Sequence, residues 1–169
     1  RDTDRSRGLG DVYKRQLKEY AYMDDCFALD VMGPYDTREV DGLEIQALPL
    51  KHAPGTYGYL ITTPQGRRTF YAPDTSDLKP EVIDILKGVD NLVMDSTFWE
   101  NHGTARSHHD VRQTVHEGID ILDAGHVYLT HLAPHMSEAG VNEIDEMYRF
   151  AERFDGRVIV AEDGMQFTL

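Results

Sequence analysis

The segment VYLTHLAPHM, residues 127–136, joins an apolar run directly to two histidines. Residues 127–130 have the composition of a buried β-strand. His131 follows this strand directly, and His135 lies four residues after His131. Binding and catalytic groups in α/β proteins gather where strands end and loops begin. The segment therefore predicts a core strand that presents a histidine at one edge of a sheet.

Three other apolar runs end in the same way. His52 follows ALPLK, Asp74 follows TFYAP, and Asp95 ends the run NLVM. Each residue also has a simpler explanation, since Asp74 could form an Asx turn and a single histidine after a strand is commonly a surface residue. Parallel strands, however, would bring these ends together at one edge. Two imidazoles and a carboxylate suit Zn²⁺, Mn²⁺ or Fe²⁺, so the combination predicts a metal centre.

From residue 37 onward, glycine and proline residues occur regularly between apolar segments, as expected for turns that separate strands and helices. Strands are predicted at residues 38–40, 43–50, 57–63, 67–71, 91–95, 126–130, 157–161 and 165–169, and helices at 80–87, 110–123 and 141–154. Hairpins come first, after which strands and helices alternate. This order predicts an α/β fold in which helices cover a sheet.

The two longer predicted helices are amphipathic. The first places on one face Val111, Val115, Ile119 and Leu122, and the second turns inward Ile144, Met147, Tyr148 and Ala151. Both helices are therefore expected to pack against the sheet through one side only.

Charge and cysteine content restrict the possible partners. The 169 residues carry a net charge of −13 with histidines neutral, which disfavours nucleic acid and anionic membranes unless positive charge is locally concentrated. A bound divalent cation would hold an anionic substrate on such a surface. Cys26 is the only cysteine, so an internal disulfide is excluded and a reducing, cytoplasmic location is predicted. No apolar run is long enough to cross a bilayer.

Residues 1–16 differ from the rest of the chain. They contain five Lys or Arg against three Asp, a charge of +2, which leaves −15 for residues 17–169. They show neither helical nor strand periodicity, and GLGDVYKRQ resembles translated adapter sequence from metagenomic assemblies. We therefore expect a non-native or disordered segment over 1–16 and one domain over 17–169.

A family resemblance rests on three motifs. His52 in LPLKHAPGTYGYLI, Asp74 in FYAPDTSDL and His131 in YLTHLAPH resemble the C-terminal half of metallo-β-lactamase-fold hydrolases, most closely the PhnP-type cyclic-phosphate phosphodiesterases. The likeness covers residues 43–169. It implies the C-terminal portion of an αββα sandwich, with a mixed sheet covered by helices.

The resemblance also implies a reaction. Two divalent metal ions, zinc or manganese, would bind, with His52 completing the ligands of one, His131 those of the other, and Asp74 bridging both. A metal-bound hydroxide held at Asp74 would attack a small cyclic or sugar phosphodiester, of the 5-phosphoribosyl 1,2-cyclic phosphate type.

Further residues receive roles from the same likeness. His108 in RSHHDV would contact the phosphate or protonate the leaving oxygen, although the neighbouring His109 could be the residue concerned. His135 would contact a phosphate oxygen or simply lie at the surface. Asp95 would orient a ligand histidine. Asp110 would orient a neighbouring side chain or cap the helix predicted to begin there. No role is assigned to His102, His116 and His126.

One family signature is missing from the sequence. The His-x-His-x-Asp-His cluster that supplies four of the usual ligands is absent, because the first histidine is His52. We expect a truncated domain that binds metal weakly, is inactive alone and exposes apolar surface. A family member that lost its metals and became a binding domain is the alternative.

Two other functions remain open. A ribonuclease Z-type transfer-RNA endonuclease shares the His, Asp and His positions, but often has an insertion where this chain has only Pro64-Gln65-Gly66, and RNA binding is disfavoured by the acidic charge. A pyrroloquinoline quinone B-type protein is suggested by STFWENHG, which resembles that group's TFW loop. The predicted partner is a small phosphorylated substrate. The oligomeric state stays open, a homodimer included.

Overall fold

The computed structural model describes residues 31–100, 107–138 and 141–169. Within these ranges the strands form one seven-stranded sheet in sequential order, with the bounds β1 Thr37–Val40, β2 Leu43–Pro49, β3 Tyr57–Thr62, β4 Arg68–Ala72, β5 Asn91–Asp95, β6 His126–Thr130 and β7 Val158–Val160. The helices are α1 Pro80–Leu86, α2 Val111–Val115 and α3 Glu143–Ala151. Residues 1–16, Cys26 and His102 lie outside the described residues.

The sheet is mixed. Strands β1 to β4 pair antiparallel, and strands β4 to β7 pair parallel. Because β2 is two antiparallel steps from β4, it runs in the same direction as β4, β5 and β6. The carboxyl ends of these four strands therefore share one edge. The predicted α/β class, a mixed sheet covered by helices, is confirmed.

The helices pack on one face of the sheet. The sheet and the helices contribute to one buried apolar cluster, which includes from the strands Leu48, Leu60, Phe70, Leu92, Val127 and Val158, and from the helices Val82, Leu86, Val111, Val115 and Met147. Gly58 in β3 pairs with Leu48 in β2. A Cβ atom added to Gly58 would lie 2.5 Å from the Phe70 ring. Only glycine leaves room for Phe70 at this position.

The predicted helix over 110–123 is only partly α-helical. It begins after Asp110, which caps it through a reciprocal capping box with Gln113, and its second half, His116–Ile121, is a π-helix. Gly118 in this half lies so close to β6 that a Cβ atom would be 2.4 Å from Cγ2 of Val127. The close approach depends on glycine, which amphipathic periodicity alone does not reveal.

Two expectations for the C-terminal part of the chain were wrong. Tyr148 is not turned inward: its side chain is 39% exposed and its hydroxyl donates to Glu162 Oε1 at 2.7 Å, which together with burial raises the pKa of the phenol. Residues 165–169 form no strand. Instead, the ring of Phe167 stacks on Tyr128 with centroids 4.6 Å apart. No helix of the described ranges is long and apolar enough to cross a membrane.

Candidate metal centre

Four ionisable side chains converge at the carboxyl edge of the sheet. Asp74 follows β4, Asp95 ends β5, His131 follows β6, and His108 lies just before α2. One potential ligand atom from each lies within 4.8 Å of the others. His52, which follows β2, joins this group through Asp74, since its Nε2 lies 2.9 Å from Asp74 Oδ1. The shared direction of the strands accounts for this convergence.

Asp95 is the buried anchor of the group. Its carboxylate is fully buried and accepts hydrogen bonds from the backbone N–H groups of Thr75 at 3.1 Å and Thr97 at 2.8 Å. The Thr97 hydroxyl adds a third at 2.6 Å, and Nδ1 of His108 lies 2.8 Å from Oδ2. Four partners compensate for the loss of water around a buried carboxylate. Asp95 therefore ties the loops after β4 and β5 to His108.

The structure places His108, rather than His109, in the group. Nδ1 of His108 is 3.3 Å from Asp74 Oδ1 as well as 2.8 Å from Asp95 Oδ2. Its ring stacks on His131 with centroids 5.4 Å apart and an interplanar angle of 19°, and meets the ring of His52 edge-on at 5.4 Å. Three imidazoles thus border one small space beside two carboxylates.

His131 has an unusual backbone. Its φ of 60° lies in the left-handed region, which costs a non-glycine residue about 1–3 kcal/mol. Its Nδ1 lies 2.8 Å from the Thr97 hydroxyl oxygen and 3.9 Å from Asp95 Oδ1. The surrounding hydrogen bonds therefore stabilise a strained turn that presents the ring at the end of β6.

These residues fit a divalent cation. Within the described residues, Oδ1 of Asp74 is buried and has no hydrogen bond of good geometry, although it lies 2.9 Å from Nε2 of His52 and 3.3 Å from Nδ1 of His108. A cation held among these groups would give this buried oxygen a well-placed partner. Imidazole nitrogens and carboxylate oxygens are the donor set of zinc and manganese sites.

The other predicted site residues lie outside this group. His135 is exposed, with Nε2 3.7 Å from Glu143 Oε2 and its ring 5.8 Å from Phe98. Asp110 caps α2. His109 is turned away and lies near Asp77 and Glu117. The remaining described histidines are both exposed, namely His116 and His126.

Sequence reasoning missed the two threonines that hold Asp95. Thr97 follows Asp95 by two residues, and Thr75 follows Asp74 directly. An Asp-x-Thr spacing allows a side-chain and a backbone donor to reach the same carboxylate, so the DST of residues 95–97 was a usable signal.

The family model described as "Beta-lactamase superfamily domain" matches residues 6–132. Ribonuclease Z of Haloarcula marismortui is 33% identical over 104 residues, which is 60% of this chain and 32% of that protein. The chain thus spans about a third of this curated relative.

Solved structures share the fold at lower identity. A diphosphatase of the PhnP family superposes with a TM-score of 0.65 at 21% identity, covering 90% of this chain and 53% of that chain. Zn²⁺-bound PqqB of Methylobacterium extorquens superposes with a TM-score of 0.64 at 19% identity, covering 91% and 62% respectively.

Proposed function

The chain belongs to the beta-lactamase superfamily, and from that membership we propose that it carries part of the metal centre of a phosphodiesterase for small cyclic or sugar phosphates. The convergence of His52, Asp74, Asp95, His108 and His131 at one sheet edge is the observation that carries the proposal. The fold shared with a diphosphatase of the PhnP family supports phosphate chemistry. The substrate we favour is of the 5-phosphoribosyl 1,2-cyclic phosphate type.

The ligands in this proposal are His52, Asp74 and His131, which would hold two zinc or manganese ions. The fold shared with a Zn²⁺-bound protein supports zinc as one candidate. Such ions, when bound, supply Lewis-acid charge for phosphoryl oxygens and lower the pKa of water. An acidic chain with a net charge of −13 needs this positive charge to hold a phosphate.

His108 is the proposed proton donor to the leaving oxygen. Asp95 is an acceptor when ionised, so the proton of the 2.8 Å contact lies on Nδ1 of His108. A proton carried on Nε2 of the same ring would be the one donated to an alkoxide. Asp95 is then a positioning residue, because it fixes the ring but is fully buried itself.

His135 is the proposed contact for a phosphate oxygen. The ring of Phe98 lies 5.8 Å from that of His135 and 6.3 Å from that of His108. The two histidines therefore flank one aromatic side chain. An exposed imidazole here could donate to a phosphate held near His108.

Transfer-RNA 3′-end processing is the second candidate. The 33% identity to ribonuclease Z of Haloarcula marismortui favours it. The charge of residues 17–169, −15, disfavours it, because binding of an RNA backbone depends on positive charge.

The test compares substrates on the protein encoded by the full reading frame that contains these residues. A ribosyl cyclic phosphate, a bis-aryl phosphodiester and a precursor transfer RNA are assayed with added Zn²⁺ or Mn²⁺. We expect hydrolysis of the two small phosphodiesters and its loss in His131→Asn, with His116→Asn as an exposed-histidine control. Cleavage of the RNA alone would overturn the proposal.

A further inference from the structure

A second group of potential ligands lies outside the candidate metal centre. Asp77 in the loop after β4, His109 before α2 and Glu117 in the π-helix each place one ligand atom within 4.8 Å of the other two. None of the three contributes to the Asp74–Asp95–His108–His131 group. The second group therefore needs an explanation of its own.

His109 is the most informative member. Its side chain is only 1% exposed, and neither ring nitrogen has a hydrogen-bond partner among the residues that the structure describes. Nε2 faces Glu117 Oε1 at 3.6 Å and Asp77 Oδ1 at 4.0 Å, both too long for hydrogen bonds. Buried imidazoles are normally satisfied, and a cation bound between Nε2 and the two carboxylates would give all three groups a partner.

The two carboxylates support the same conclusion. Oε2 of Glu117 is also buried without a hydrogen-bond partner in the described part of the chain. Asp77 pairs through Oδ2 with the ammonium group of Lys51, which leaves Oδ1 to face His109. Lys51 thus orients one ligand and partly offsets the charge of the two acids.

The spacing suits a transition-metal ion. Ligand atoms in a tetrahedral zinc site with bonds of about 2.0–2.1 Å lie about 3.4 Å apart. The 3.6 Å and 4.0 Å separations need only a small contraction to reach this value. One imidazole nitrogen with two carboxylate oxygens favours Zn²⁺ over Mg²⁺, which prefers all-oxygen octahedral surroundings.

We propose that Asp77, His109 and Glu117 form a separate Zn²⁺ site. Its location gives it a structural purpose, because Asp77 lies three residues after Asp74 and His109 directly follows His108. An ion here joins the loops that carry two residues of the candidate metal centre to the π-helix. The ring of His109 is too buried to meet a substrate.

The test uses the 169-residue chain with its candidate metal centre disabled by Asp74→Asn and His131→Asn. Zinc content is measured by mass spectrometry after loading and desalting, and affinity by competition with a chromophoric chelator. We expect this background to retain one zinc per chain. Because the first centre is already disabled, the result does not depend on the proposed phosphodiesterase function.

Glu117→Gln in the same background keeps the side-chain shape and removes one charged ligand. Zinc affinity should fall at least as far as the ~10–100-fold that loss of an outer partner costs, and His109→Asn should do the same. The matched control, His116→Asn with Asp120→Asn, removes an exposed histidine–carboxylate pair at 2.8 Å in the same helical segment and should leave zinc binding unchanged.

A second readout guards against misfolding of the buried His109 variant. Zn²⁺ should raise the thermal midpoint of the background chain, and Glu117→Gln should abolish that increase while retaining the metal-free circular dichroism spectrum. A background chain that retains no zinc would overturn the proposal. Equal zinc affinity with and without Glu117→Gln would do so as well.

Discussion

The hydroxyl oxygen of Thr97 lies 2.8 Å from Nδ1 of His131. The same hydroxyl lies 2.6 Å from Oδ1 of Asp95, to which it donates its one proton. It can therefore only accept from His131, which places the ring proton on Nδ1. Nε2 of His131 is left with a free lone pair, the form in which imidazole binds a metal ion.

Replacing Thr97 tests this orientation of His131. Thr97→Val has a similar shape but cannot accept from Nδ1, so the metal affinity of the candidate centre should fall by ~10–100-fold. Thr97→Ser retains the hydroxyl and should bind metal nearly as well as the parent chain. Zinc competition titrations of both variants in a Glu117→Gln background measure the effect on this centre alone. Equal affinities of the valine and serine variants would contradict the orientation.

Asp95→Asn tests the buried anchor. One carboxylate oxygen accepts from Thr75 N–H and His108, and the other accepts twice from Thr97, so an amide NH₂ group must face donors on one side. Each lost hydrogen bond to a buried charged group is worth about 1.5–3 kcal/mol. We expect the free energy of unfolding to fall by about 2–3 kcal/mol.

Urea unfolding of the metal-free chain measures this loss. Asp84→Asn is the matched control, because Asp84 pairs with Lys87 at the surface and its loss should change the stability by less than about 0.5 kcal/mol. Equal stabilities of the two variants would mean that Asp95 is not an anchor.

The sheet was largely predictable from the sequence, for a physical reason. Residues 91–95 and 126–130 are apolar runs between turn residues, and they are strands with those bounds. A buried parallel strand must be apolar on both faces, which leaves a clear signal. Convergence of Asp74, Asp95 and His131 follows from strand direction alone.

Other features depend on three-dimensional contacts that no local pattern encodes. The π-helix begins at His116, where periodicity predicted continued α-helix. His108 and His109 are neighbours in sequence, yet one reaches Asp95 and the other Glu117. The packing of α2 against the sheet determines which of the two histidines faces Asp95.

Gly118→Ala tests the close contact between the π-helix and β6. A methyl group here would lie 2.4 Å from Cγ2 of Val127 and 3.0 Å from Cδ2 of Leu92. Overpacking of this kind costs about 1–3 kcal/mol, whereas alanine gains up to about 1 kcal/mol in helix propensity. The overpacking should prevail.

Thermal unfolding should therefore show a lower midpoint for Gly118→Ala. Gly33→Ala provides the control, since its added methyl would meet Asp36 at an ordinary 3.5 Å. A Gly118→Ala chain as stable as the Gly33→Ala chain would show that the helix shifts without cost.

His108→Gln tests proton donation in the proposed phosphodiesterase. General acid catalysis contributes about 10²–10⁴-fold when the leaving group is a poor one, such as the alkoxide of a ribosyl cyclic phosphate. A nitrophenolate leaves without protonation, so the same variant should hydrolyse a nitrophenyl phosphodiester at close to the parent rate. We would measure kcat on both substrates for the parent, for His108→Gln and for the exposed control His116→Gln. A loss confined to the alkoxide substrate and to His108→Gln identifies His108 as the proton donor. An equal loss on both substrates would make His108 a metal or phosphate ligand, because such a contact helps every leaving group alike.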